Sequence, residues 1–116
     1  MPLKKERKLK SDYFWNMKIN DKNIDYIRRL CEEHSVRTFS AFGSVTRDDF
    51  SNNSDIDFVV DFNENDPFKY TDLYFQLKEE LEKLLERQID LIEERAIKNQ
   101  FFKKELEETK VLIYGQ

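Results

Sequence analysis

Gly43-Ser44-Val45-Thr46-Arg47-Asp48-Asp49-Phe50-Ser51-Asn52-Asn53-Ser54-Asp55-Ile56-Asp57-Phe58-Val59-Val60-Asp61-Phe62 is the passage from which this chain is best read. Its start closes an apolar run, Val36 to Phe42, that reads as a strand. Its end, residues 55–62, reads as a second strand. Side chains alternate across a strand, so Asp55 and Asp57 project from one face. Two close carboxylates repel unless a cation sits between them. Hard oxygen ligands suit Mg²⁺, which takes one or two carboxylates plus substrate phosphate. Gly43 lets backbone N–H groups approach a phosphate closely, and Ser44 adds a hydroxyl donor. These parts point to metal-assisted chemistry on a nucleoside triphosphate.

Outward from this passage, residues 21–34 read as a helix. Ile24, Ile27, Leu30 and Cys31 form its apolar stripe and Asp21 its cap. Asp66-Pro67 predicts a helix start, with Asp as N-cap and Pro at the first helical position. That helix runs to about Arg87, with Leu73, Leu77, Leu81 and Leu84 facing inward. Gln88-Ile89-Asp90-Leu91-Ile92 reads as a short third strand. Ile97, Phe101, Phe102 and Leu106 suggest a last helix, and Val111 to Tyr114 a short closing strand or docked end. The order implies an α/β domain, a small mixed sheet flanked by helices. The long helix between Asp57 and Asp90 is a crossover able to return a strand beside the one with the acidic pair. Asp90 is then a third carboxylate at the same surface, and three carboxylates can hold two Mg²⁺ ions about 3.5–4 Å apart. Each part alone has a plainer reading: a turn cap for the Asp pair, a common turn for Gly-Ser, an edge-strand charge for Asp90. The combination is far more specific.

The 116 residues fit one domain, with a basic and aromatic extension over 1–20 and the body over 21–116. Ten Phe and five Tyr offer burial that a disordered chain lacks, despite 38% charged residues. No apolar run approaches the roughly 20 residues that span a bilayer, and the N-terminus has no apolar signal core. One cysteine, Cys31, rules out an internal disulfide and fits a cytoplasmic protein. Net charge is −4, but residues 1–10 carry five cations against one anion. The rest is therefore at −8, which argues against stable nucleic-acid binding.

The segment Gly43 to Phe50 leading to Ser54-Asp55-Ile56-Asp57-Phe58-Val59-Val60, with Ile89-Asp90-Leu91-Ile92 behind it, resembles the polymerase-β-type nucleotidyltransferases. More narrowly it is similar to their minimal prokaryotic (MNT) members, over about Asp21 to Tyr114. The resemblance implies a palm-like nucleotidyltransferase fold. It implies that Gly43 and Ser44 hold the terminal phosphates of ATP, and that Asp55 and Asp57 ligate both Mg²⁺ ions. Asp90 would ligate the ion at the nucleophile and help accept its proton. Arg47 matches a basic position of the motif, reaching phosphate or bracing the loop. Many such proteins are antitoxins that move AMP from ATP to a tyrosine hydroxyl of a HEPN-type toxin. The N-terminal extension is not part of the minimal pattern.

Size supports a protein acceptor independently. Polymerases, RNA-tailing enzymes and antibiotic-modifying relatives need further domains to hold their acceptors, and a palm of this length has little to spare. An acidic body would also repel a nucleic-acid acceptor. Two other classes stay open: an antitoxin acting by contact alone, with Tyr13 to Trp15 as part of its surface, and transfer to a small hydroxylated molecule in a pocket built by dimerisation. His34, ending the first helix, and Lys98, Lys103 and Lys104 read as structural and solvated positions.

Overall fold

The computed structural model describes residues 19–47, 50–51 and 53–115. The elements are α1 (Asp21–Glu33), β1 (Val36–Phe42), a 3₁₀ turn (Gly43–Thr46), β2 (Ile56–Phe62), α2 (Pro67–Leu85), β3 (Ile89–Glu93), a second 3₁₀ turn (Glu94–Ala96), α3 (Gln100–Thr109) and β4 (Val111–Tyr114). The four strands make one sheet in the order β3-β2-β1-β4. β1 is antiparallel to both β2 and β4, and β2 is parallel to β3, so the sheet is mixed as expected. α2 is the crossover that makes the parallel pair possible.

Caps account for the helix limits. Asn20, not Asp21, caps α1, its side chain accepting from the Asn23 amide. Ile19, just ahead of α1, is buried in the core. Asp66 accepts from the amides of Phe68 and Lys69 at 2.9 and 3.4 Å, and Pro67 occupies the first turn. α2 ends at Leu85, two residues before the expected Arg87. Glu86 adopts a left-handed conformation, φ 54°, and its N–H returns to the Glu82 carbonyl, closing the last turn.

The pleat divides the sheet into two unlike faces. One carries Phe39, Ala41, Ile56, Phe58, Val60, Phe62, Ile89 and Leu91, all buried beneath α1 and α2. Ile24, Ile27 and Cys31 of α1, with Tyr70, Leu77 and Leu81 of α2, complete this core. Phe39 and Phe58 hold their rings 4.7 Å apart at its centre. Of the expected α2 stripe, Leu73 and Leu84 are only partly buried, and Tyr70 takes an inward place instead. Burial, then the charge of Glu32, pushes the Cys31 thiol up to about 12, so it is an inert core group.

The other face carries Ser40, Phe42, Asp57, Val59, Asp90 and Ile92. α3 lies against this face: the Phe102 ring meets Phe42 edge-on at 5.9 Å. Leu106 and Val59 are buried here, outside the main core. Phe101 is 89% exposed, because its neighbour Phe102 takes the contact. Tyr13 to Trp15 lie outside the described residues.

Candidate active site

The strand register brings the acidic residues together. Phe42 pairs with Asp57 across β1 and β2, and Asp57 pairs with Asp90 across β2 and β3. Directly opposed residues share a face of the sheet, so Asp57 and Asp90 stand side by side. β3 is held at this position by the amide of Ile89, which donates to Glu82 at 3.2 Å, and by the Leu91 carbonyl, which accepts the Tyr74 hydroxyl.

The Asp57 carboxyl is raised above the ordinary 3.8. Burial is the first cause, followed by the charges of Asp90 and Asp55; a hydrogen bond with Asp90 adds to the effect, and Arg47 opposes it. Ionisation of Asp57 is therefore disfavoured when no cation is near. Asp55 is exposed and lies one residue ahead of β2, which begins at Ile56 rather than at residue 55. The pleat does not govern it, so it reaches Asp57 through its field. Among the described residues, no three His, Cys, Asp or Glu side chains close into a ready-made metal cage. The expected compact triad is thus a close pair, Asp57 and Asp90, with Asp55 at its threshold. The set still fits a divalent cation. Its donors are hard oxygens, and it holds excess negative charge that such an ion would neutralise.

Gly43 makes the turn beside this pair. Its φ is +73°, a conformation that L side chains rarely adopt, and a Cβ there would collide with the Asp57 carboxylate. Glycine is therefore required both for the turn and for the approach of backbone to carboxylate. The turn is closed by Thr46 Oγ1 donating to the Gly43 carbonyl at 2.7 Å and by the Arg47 amide donating to the Ser44 carbonyl at 2.9 Å. Ser44 is half-buried on this turn, and Arg47 leaves it exposed on extended backbone. Its positive charge partly offsets the rise in the Asp57 carboxyl. Asp48 and Asp49, which follow Arg47 in sequence, lie outside the described residues. Ser54 caps the approach to β2, its Oγ accepting from the Ser51 amide at 3.0 Å.

Other expected roles resolve as structural. His34 caps α1, its Nδ1 donating to the Leu30 carbonyl at 2.7 Å. Lys98, Lys103 and Lys104 are exposed. One residue that the sequence reading passed over is Arg87, placed there as the end of a helix. Its guanidinium donates to the carbonyls of Ser54 and Ser51 at 2.8 and 3.2 Å and lies 4.6 Å from the Phe50 ring. The only available signal was an arginine three residues before the third carboxylate.

A mixed sheet with an acidic pair on adjacent parallel strands, beside a glycine turn leaving the next strand, defines a nucleotidyltransferase. The chain belongs to the nucleotidyltransferase domain family, whose profile matches residues 24–113. It is similar to MJ1379 of Methanocaldococcus jannaschii, provisionally named a protein adenylyltransferase, with 39% identity over 73% of this chain and 82% of that protein. It is also similar to the protein adenylyltransferase MntA of Thermococcus cleftensis, 33% identical over 70% of this chain and 79% of that one. Among solved structures, one provisionally described as a minimal nucleotidyltransferase superposes with a TM-score of 0.65 at 26% identity, covering 76% of this chain and 86% of that one. The MNT antitoxin complex with a tri-AMPylated HEPN toxin from Shewanella oneidensis shares the fold, at a TM-score of 0.60 and 19% identity, over 84% and 74% of the two chains.

Proposed function

We propose that this nucleotidyltransferase moves AMP from ATP onto a tyrosine hydroxyl of a HEPN-type toxin and so acts as its antitoxin in the cytoplasm. The observation that carries the reading is the opposition of Asp57 and Asp90 beside the Gly43 turn, with Asp55 at the strand threshold. Support for a protein acceptor comes from relatives named as protein adenylyltransferases. A neighbouring toxin–antitoxin structure with AMP-PNP, at a TM-score of 0.64 and 21% identity, agrees with an adenine nucleotide.

Asp55, Asp57 and Asp90 would hold Mg²⁺, in two ions by the family pattern. The metal, when bound, would neutralise phosphate charge and lower the pKa of the attacking hydroxyl. The chain's own groups do the rest. Gly43 and Ser44 hold the terminal phosphates and keep the α-phosphorus over the acidic pair. Arg47 adds positive charge there. Asp90 takes the proton of the tyrosine hydroxyl as its oxygen bonds to the α-phosphorus. The bond from that phosphorus to the α–β bridging oxygen breaks, and pyrophosphate leaves. Positioning and charge stabilisation supply the rate, as phosphoryl chemistry generally requires.

The test is intact-protein mass spectrometry of the chain mixed with ATP, Mg²⁺ and the protein encoded beside it. A partner mass gain of whole AMP units, absent with Asp57→Ala, is the expected result. A second reading, neutralisation by contact alone, draws on the exposed rings of Phe68, Phe75 and Phe101. Neutralisation undiminished in Asp57→Ala, with no mass gain from the wild type, would establish that reading instead.

A further inference from the structure

The described residues ahead of β2, Phe50, Ser51, Asn53 and Ser54, belong to no helix or strand, yet they must deliver Asp55 to a defined place. Asp55 gains nothing from the sheet ladder, because β2 starts after it. Its position depends on the residues just before it. Ser51 and Ser54 form a small ring: the Ser54 amide donates to the Ser51 carbonyl at 3.1 Å, and the Ser51 amide donates to Ser54 Oγ at 3.0 Å. Both carbonyls at this ring point to Arg87, which donates to Ser51 at 3.2 Å and to Ser54 at 2.8 Å. The Ser54 carbonyl belongs to the peptide that leads into Asp55, so this bond orients the Asp55 backbone directly. The Phe50 ring under the guanidinium, 4.6 Å from it, fixes the third side of the loop.

Arg87 is also tied to the other two carboxylates. It lies in the turn between α2 and β3, and the next residue, Gln88, accepts the Ile56 amide at 3.3 Å. From there the register runs Ile56 to Ile89 and Asp57 to Asp90. One segment, residues 87–90, therefore contacts the backbone on both sides of Asp55 and carries Asp90 itself. Through two carbonyls and a ring, the Arg87 guanidinium shapes the loop. A planar guanidinium can bridge two carbonyls while stacking on a ring, which a lysine ammonium cannot reproduce fully.

We infer that Arg87 is a positioning residue that sets Asp55 against Asp57 and Asp90 and thereby completes the cation-binding site of the transfer reaction. This rests on the proposed nucleotidyl transfer, and the test separates the two. Mn²⁺ binding is followed by electron paramagnetic resonance of the full chain with a non-hydrolysable ATP analogue, for wild type, Arg87→Met and Arg87→Lys. Transfer to the toxin partner and thermal melting are measured on the same samples.

Loss of an outer partner of a metal ligand typically costs roughly 10–100-fold in affinity or activity. Arg87→Met is expected to weaken Mn²⁺ binding within that range while remaining folded at the assay temperature. Transfer should fall in kcat, with KM for ATP changed little. Arg87→Lys should recover part of both losses. Wild-type Mn²⁺ affinity and kcat in folded Arg87→Met would overturn the inference. So would a loss that tracks only the unfolded fraction and disappears on cooling. If the wild type binds Mn²⁺ but transfers nothing, the functional reading fails, and Arg87 is judged on Mn²⁺ binding alone. If the wild type binds no Mn²⁺, both fail.

Discussion

Asp57 is the group whose physics governs the site. Its raised carboxyl follows from partial burial on a sheet face and from two carboxylate neighbours, with Arg47 offsetting part of the effect. An acid raised in the folded state above its unfolded value of 3.8 favours folding while it is protonated. That contribution is complete below 3.8 and is lost as pH rises through the raised value. At neutral pH the ionised group therefore costs stability, a burden a bound cation would relieve. Asp57→Asn should raise the melting temperature at pH 7 without added metal, by on the order of a few degrees. The wild-type and variant melting curves should converge below pH 3.8, where both side chains are neutral. Melting across pH 3 to 8 checks the sign directly. A lower Tm for the variant at pH 7 would contradict this account of Asp57.

α2 shows how an element can serve the site from a distance. Its N-terminus is fixed by the Asp66 cap and Pro67, at the end of β2 remote from Asp57. Its C-terminus stops at Glu86, and the turn that follows carries Arg87 into contact with the loop before Asp55. The helix thus sets the start of β3 and the rung on which Asp90 meets Asp57. Asp66→Ala removes the acceptor for two amides and should lower unfolding free energy by about 1 kcal/mol. Transfer by the folded fraction should be unchanged, because the cap touches nothing at the carboxylates. Urea denaturation and an activity assay on the same variant check both halves.

Across the molecule, the two ends of β2 are specialised. Asp57 at one end is crowded by like charges, whereas Asp61 at the other is fully answered. Arg95 donates to Asp61 Oδ1 from Nε and Nη2 at 3.0 and 2.9 Å, and Arg37 lies 3.6 Å from Oδ2. Arg95 also reaches the carbonyls of Phe62 and Glu64 and lies 4.3 Å from the Tyr70 ring, binding β2, the following loop, α2 and the turn after β3 together. Tyr70, with its hydroxyl buried and unpaired in this cluster, is pushed up to about 12, chiefly by burial and then by Glu93. The pair is partly solvated, since Arg95 is 38% exposed, and screening limits its worth. Asp61→Asn should therefore cost about 1–2 kcal/mol of stability and leave Mn²⁺ binding unchanged. Denaturation together with metal titration tests this division of labour. Weakened metal binding in the folded variant would show that the two ends are coupled.

Much of the fold and part of the site were legible in the order of residues. Alternating apolar runs marked the strands, Asp66-Pro67 marked a helix start, and Gly43 stood out in a chain with one internal glycine. These signals are local: they arise from side-chain period, backbone stereochemistry and cap chemistry acting within a few residues. The spacing of Gly43-Ser44, Asp55-Ile56-Asp57 and Asp90 named the carboxylates for the same reason. Their arrangement was another matter. That Asp90 stands on the rung of Asp57 depends on strand register, which only the packed sheet sets. That Asp55 falls outside the strand depends on where the ladder begins. The outward turn of Phe101 and the inward place of Tyr70 follow from competition between neighbours for one contact surface. Arg87 joins residues more than thirty positions apart, so its role exists only once the loop and the α2–β3 turn have been brought together.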